Sequence, residues 1–237
     1  MHLSQARLLE LELDAIHGLE TGPGVFPVLG NKDVAAVFAW SPHARLLALN
    51  PDLKLDEDPV DPGEPYIPGA LPRVVSALAG QLPRADPDRP VQITGGPTFV
   101  IPPDVSAPAV RLPILVSDEA GLARAGTLVR PDNWEEDEWQ DLTEGRIGEW
   151  AMALDADEPV AICHTPAWNA QAAEAGVWTR PDFRGRGLAP AVVVAWARRE
   201  RANKQVLFYS TWNDNPESQA VARKLALTPL GWLWTVT

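Results

Sequence analysis

The sequence predicts an α+β (mixed α/β) fold: a mixed central sheet flanked by helices, with a smaller α+β unit ahead of it. Three observations carry this. Beyond about residue 109, stretches of alternating apolar residues and stretches of helical periodicity follow one another in the order α-α-β-β-β-α-β-α-β. The strands there are joined by short polar turns and by one helical crossover, so antiparallel and parallel neighbours must share a sheet. Ahead of that point the elements are shorter and set in proline-rich stretches, which separates residues 1–108 from residues 109–237 as the smaller domain.

Element by element, Leu8, Leu9, Leu11, Ile16 and Leu19 among acids predict an amphipathic helix over the first twenty residues, ended by the glycines from Gly18 to Gly24. Residues 51–69, PDLKLDEDPVDPGEPYIPG, read as a loop. Residues 71–82 suit a short helix, PRADPDRP at 83–90 breaks the pattern, and 91–96 and 98–103 read as two short strands. Further on, 117–126 and 133–145 read as short helices, the second capped by Asn133. Residues 149–168 read as a hairpin turning at Asp155 to Glu158, and 172–179 as the next strand. A loop and helix at 184–201, a strand at 205–211, a helix with an early proline at 216–226 and a strand at 230–237 complete the reading.

A chain of 237 residues suits one large domain or two small ones, and 46% hydrophobic with 22% charged residues is a globular composition. The net charge of −12 argues against nucleic acid or an anionic membrane as the main partner, while leaving room for a local basic pocket. A lone cysteine, Cys163, excludes an internal disulfide framework and a multi-thiolate zinc site. The four histidines lack ligand spacing, so no metal is expected. No apolar run reaches the length of a membrane span, and acids stand where a secretory signal has its apolar stretch. A cytoplasmic protein is the expectation.

The most informative stretch is 177–199, VWTRPDFRGRGLAPAVVVAWARR, in which a strand passes through a basic, glycine-bearing loop into a helix. Bare N–H groups at a helix start, with arginines beside them, favour an anion, first of all a phosphate group. A dinucleotide fingerprint fails twice: its last position is Pro190, and the next strand ends in Tyr209-Ser210-Thr211 rather than an acid. The nucleoside-triphosphate pattern G-x-x-x-x-G-K-[ST] is absent. R-x-x-G-x-A does fit, through Arg184, Gly187 and Ala189, although so loose a pattern also suits an ordinary glycine loop.

Three stretches add to that loop: AEAGVWTRPDFRGRGLA, LFYSTW and NDNPESQAVARKLALTPLG. With them, roughly residues 113–237 resemble the GNAT superfamily of N-acetyltransferases, and most closely its two-part members with a diverged N-terminal half. The resemblance implies a mostly antiparallel sheet, acetyl-coenzyme A (acetyl-CoA) as co-substrate, and acyl transfer to an amine of a small molecule or peptide by direct attack in a ternary complex. It also implies that the pyrophosphate rests on the amides of Arg184, Gly185, Arg186, Gly187, Leu188 and Ala189. In the family the preceding strand splays from its neighbour and offers its backbone, here at Val177 and Thr179, to the pantetheine arm.

Glu174 is the sharpest chemical candidate. Alternation puts it on one strand face with Gly176 and Trp178, and a carboxylate among Ala172, Ala173 and Ala175 is costly unless exposed or used. The family places a general base here; the alternative is an exposed strand-end acid. His164, on the neighbouring strand, reads as base, proton relay or hydrogen-bonded core histidine. Asn215 and Ser218 match the family's N-x-x-S, with Asn toward pantetheine and Ser toward the thioester sulfur, though both also suit a helix start. Where many members carry a tyrosine as general acid this chain has Ala222, which leaves Ser218, Tyr209, water or no acid at all. That departure also admits a rival reading, a GNAT-fold protein that binds coenzyme A without turnover. Trp134, Trp139, Trp150, Trp168, Trp178 and Trp212 are candidates for an acceptor cavity or for core.

Overall fold

The computed structural model describes residues 3–20, 26–53, 55, 59–81 and 91–237. The break expected at 83–90 therefore lies outside the described residues. In chain order, α1 (Gln5–His17), β1 (Leu19–Glu20), β2 (Val28–Leu29), β3 (Ala36–Trp40), β4 (Arg45–Leu49), α2 (Arg73–Gln81) and β5 (Ile93–Val100) come first. Next are β6 (Ile114–Val116), α3 (Glu119–Ala125), α4 (Glu136–Thr143), β7 (Ala151–Asp155), β8 (Glu158–Trp168) and β9 (Ala172–Thr179). A 3-10 turn (Pro181–Phe183) leads to α5 (Leu188–Glu200), followed by β10 (Val206–Ser210), α6 (Pro216–Lys224) and β11 (Thr228–Val236). Two compact units result: Met1–Phe99 with Ser210–Pro216 and Pro229–Thr237, and Val100–Tyr209 with Glu217–Thr228.

In the first unit the strands run β1-β2-β4-β3-β11-β5. Strand β3 pairs antiparallel with both β4 and β11, placing Trp40 opposite Trp232 and Phe38 opposite Trp234. Helix α2 presents Val74, Val75 and Leu78 to this aromatic cluster, which also holds Leu47 and Leu49. Helix α1 starts where Ser4 Oγ accepts the Arg7 N–H and stops at Gly18, whose N–H donates to the Asp14 carbonyl. The two strands expected at 91–96 and 98–103 are one continuous strand, β5. Gly95, Gly96 and Pro97 read as a break, but the Pro97 and Gly95 carbonyls accept the N–H groups of Thr211 and Asn213. A Cβ at Gly96 would lie 1.7 Å from the Thr211 carbonyl oxygen, so that glycine admits a neighbouring backbone rather than ending the strand.

The second unit is a meander, β6-β7-β8-β9, all antiparallel, to which β10 adds parallel to β9 after the α5 crossover. It is the mixed, mostly antiparallel sheet flanked by helices that the sequence predicts. Helix α5 buries Val192, Val193, Trp196 and Ala197 completely and packs along β6 to β9. Its Trp196 indole N–H donates to Thr165 Oγ1 at 2.9 Å. A separate cluster joins Trp139 and Leu142 of α4 to Trp150, Met152, Leu154 and Ile162. Each such side chain contributes roughly 1.5–3 kcal/mol through removal from water. Helix α3 is capped by Asp118, which accepts the Gly121 N–H. Helix α4 begins later than its expected cap, Asn133: Glu135 takes the cap position without a side-chain hydrogen bond. Three acids in its first turn complement the helix dipole instead. Among the described residues, no helix is long and apolar enough to cross a membrane.

Candidate functional site

Strand β9 is paired on one side along its length and on the other only at its start. Its partners on β10 are Val206 to Ala172, Leu207 to Ala173 and Phe208 to Glu174, and no further register follows among the described residues. On the β8 side the pairing continues to Thr179 opposite Ala161, and the Arg180 N–H donates to the Val160 carbonyl. Backbone alternation then turns Gly176 and Trp178 toward β8, and the N–H and C=O groups of Val177 and Thr179 away from it. The strand thus opens a backbone edge just beyond Glu174. The Thr179 carbonyl accepts from Arg184 Nε at 3.3 Å. Thr179 Oγ1 is buried without a hydrogen-bond partner among the described residues.

The loop that follows is shaped by two left-handed glycines, Gly185 at φ 76° and Gly187 at φ 80°, the latter standing at the cap of α5 with no side-chain bond. Among the described residues, none of the N–H groups from Gly185 to Ala189 meets a protein acceptor. Pro190 comes next in the first turn and has no N–H to satisfy. Arg184 and Arg186 are exposed and form no ion pair among the described residues, whereas Arg180 is engaged by Asp182 and Glu158. These unmatched donors and charges at a helix start suit a diphosphate.

Glu174 is 6% exposed, so the strand-end alternative of a solvated acid does not hold. Tyr209 is buried beside it. The Tyr209 hydroxyl lies 2.8 Å from Ser218 Oγ and 3.3 Å from the Ser218 carbonyl. Burial pushes the phenol well above its ordinary range, and the Cys163 and Glu174 charges push the same way. Cys163 is fully buried with a free thiol, raised by burial and then by Glu174 and Glu200, so it is a packing residue and not a nucleophile. Ala222 is buried, with no group to give a proton.

His164 packs edge-on against Trp134, ring centroids 5.0 Å apart. Burial lowers its pKa to about 4, against a smaller opposing effect of the Gly176 backbone. A Cβ at Gly176 would lie 2.6 Å from His164 Cε1, so glycine is what lets the imidazole cross the strand. Its Nδ1 is buried without a hydrogen-bond partner among the described residues, while a hydrogen bond with the Gly176 backbone partly offsets the effect of burial. Trp134, Trp139 and Trp150 belong to the apolar cluster, with Trp178 packed against it, while Trp168 and Trp212 are exposed. Asn215 lies in the first unit, its N–H donating to the Trp212 carbonyl. The second unit therefore gathers Glu174, Val177, Thr179, the 184–189 loop, Tyr209 and Ser218; the Trp134–His164 contact had no sequence signal, because it joins a loop to a strand far along the chain.

Residues 107–228, just over half of the chain, match the family model described as Acetyltransferase (GNAT) domain. No curated protein matches the sequence. Among solved structures the chain is similar to a GNAT-family protein from Novosphingobium aromaticivorans, at 18% identity and TM-score 0.43, covering 61% of this chain and 64% of that one. It is also similar to an acetyltransferase from the GNAT family from Colwellia psychrerythraea, at 12% identity and TM-score 0.46, covering 62% and 56%. A GCN5-related N-acetyltransferase from Kribbella flavida matches at 17% identity and TM-score 0.43, covering 62% and 59%. The chain spans less than two thirds of each of these solved chains, at 64%, 56% and 59%. On the family match, which takes in β9, the glycine loop and α5, the chain belongs to the GNAT acetyltransferase family.

Proposed function

We propose that the second unit binds acetyl-CoA and passes its acetyl group to a primary amine, of a small molecule or a peptide, by direct attack in a ternary complex. When bound, acetyl-CoA supplies a thioester carbonyl as electrophile and a thiol leaving group of pKa about 8.5. The amides of Arg184, Gly185, Arg186, Gly187, Leu188 and Ala189, with the two unpaired arginines, hold its diphosphate. The backbone edge of Val177 and Thr179 that faces away from β8 holds the pantetheine arm, whose amides can pair with backbone N–H and C=O groups.

Glu174 is the general base. An acceptor ammonium of pKa about 10.4, if lysine-like, must lose its proton before it attacks. Ser218, backed by the protonated Tyr209, is the donor nearest in kind to the missing tyrosine. His164, neutral at physiological pH and packed on Trp134, walls the site rather than titrating in it. The observation that carries the reading is the end of β9–β10 pairing at Glu174 opposite Phe208, which puts a buried carboxylate at the head of an open backbone edge.

One observation favours a second reading, a coenzyme A-binding protein without turnover: Ala222 stands where a general acid is usual. Thioester consumption measured with acetyl-CoA and a panel of primary amines separates the two. Amine-dependent consumption supports the transferase. Coenzyme A binding with no consumption across the panel supports the binding protein.

A further inference from the structure

Phe183 sits in the 3-10 turn between β9 and the glycine loop, 7% exposed. Two guanidinium groups lie over its ring: Arg180 Cζ is 4.4 Å and Arg186 Cζ 4.3 Å from the centroid. The one ring therefore contacts both cations. Their other bonds differ. Arg180 Nε and Nη2 donate to both oxygens of Asp182, and Nη1 donates to Glu158. Its charge is matched, and it is fixed as a plate against the ring. Arg186 forms no ion pair among the described residues; its Nη2 donates to the Asp182 carbonyl at 2.9 Å, and its charge is the smallest of the effects that lower the Asp182 carboxyl.

An exposed arginine has many rotamers, and holding one of them costs entropy each time an anion binds. Stacking on an aromatic face and bonding one backbone carbonyl removes most of that freedom beforehand. We infer that Phe183 is a positioning residue for coenzyme A, its ring holding the Arg186 guanidinium, which forms no ion pair among the described residues, at the diphosphate-binding loop, while Arg180, neutralised by Asp182 and Glu158, lies over the same ring. The inference rests on the proposed function, and specifically on the loop receiving the diphosphate.

Calorimetric titration of the full chain with coenzyme A and with pantetheine, which lacks the diphosphate, tests it. Phe183→Leu, which keeps apolar volume but loses the ring, is expected to weaken coenzyme A about three- to tenfold. Pantetheine binding stays within about twofold, since no cation–π partner faces it. Phe183→Tyr, which keeps the ring quadrupole, binds coenzyme A as the wild type does. In the Phe183→Leu, Arg186→Gln double variant the loss equals that of Arg186→Gln alone, because the ring acts only through that arginine. Unchanged or tighter coenzyme A binding by Phe183→Leu, an equal loss for pantetheine, or multiplicative losses in the double variant would each overturn the inference. A wild type that binds no coenzyme A overturns the proposed function and this inference with it; wild-type binding with an unaffected Phe183→Leu overturns the inference alone.

Discussion

The Tyr209 and Ser218 hydroxyls stand 2.8 Å apart, and the serine carbonyl is within 3.3 Å of the same phenol. Tyr209 is 1% exposed, and its raised pKa keeps it protonated at any pH the protein meets. Either hydroxyl can donate in the shorter contact, and the phenol donates to the Ser218 carbonyl in the longer one, so the two side chains are held together; the proposed function makes Ser218 the donor to the departing thiolate. Ser218→Ala is expected to lower kcat about ten- to hundredfold, toward the lower range for a lost general acid. Tyr209→Phe should cost less, and the double variant no more than Ser218→Ala, since the phenol acts through the serine. Steady-state kinetics on the three variants reads this out.

Glu174→Gln preserves shape and removes the carboxylate that the proposed function makes the base. At neutral pH kcat should fall about 10²–10⁴-fold while coenzyme A affinity is retained. The deficit should shrink as pH rises toward the acceptor's own pKa, about 10.4 for a lysine-like amine, because a neutral amine needs no base. A deficit constant across pH would point to a structural role for the carboxylate.

His164 links stability to pH. The unfolded chain takes up this proton as pH falls through about 6.5, but the folded chain does so only near about 4. The unfolded state therefore gains protons first, and stability is lost as pH falls across that window, by up to about 3 kcal/mol, and levels off below it. His164→Phe keeps an aromatic ring on Trp134 and should lack this component in chemical denaturation between pH 7 and 4. Identical pH slopes in the two proteins would contradict the assignment.

Gly176 and His164 are coupled through space. A Cβ at 176 would lie 2.6 Å from His164 Cε1 and 3.0 Å from Pro166 Cγ. Gly176→Ala should cost roughly 1–3 kcal/mol by overpacking. Removing the imidazole as well should relieve most of that cost, a non-additivity that a thermal-unfolding cycle detects.

Much of the second unit was legible because its signals are local. AAEAGVWT reads as a strand with the bounds of β9, RGRGLA places both left-handed glycines, and Pro216 marks the start of α6. The first unit was less legible. The run AVFAW is buried at every position and so carries no period, and its partners include Trp232 and Trp234 from the last strand. Pairing between residues so far apart in sequence has no local signature. Gly95-Gly96-Pro97 read as a break because sequence cannot see the backbone that lies against Gly96. At the site, Glu174 stood out by its apolar neighbours, but its burial could not be read, since it depends on where β10 stops pairing. Three tryptophans offered as cavity lining, at 134, 139 and 150, form core with α3 and α4 instead.

The decisive observation lies in the backbone amides of the 184–189 loop. Proton–nitrogen correlation spectra of labelled protein, recorded with and without coenzyme A, should move the signals of Gly185, Arg186, Gly187, Leu188 and Ala189 together, along with Val177 and Thr179. Spectra in which these amides stay put under saturating coenzyme A would refute the diphosphate site and the acyl transfer built on it.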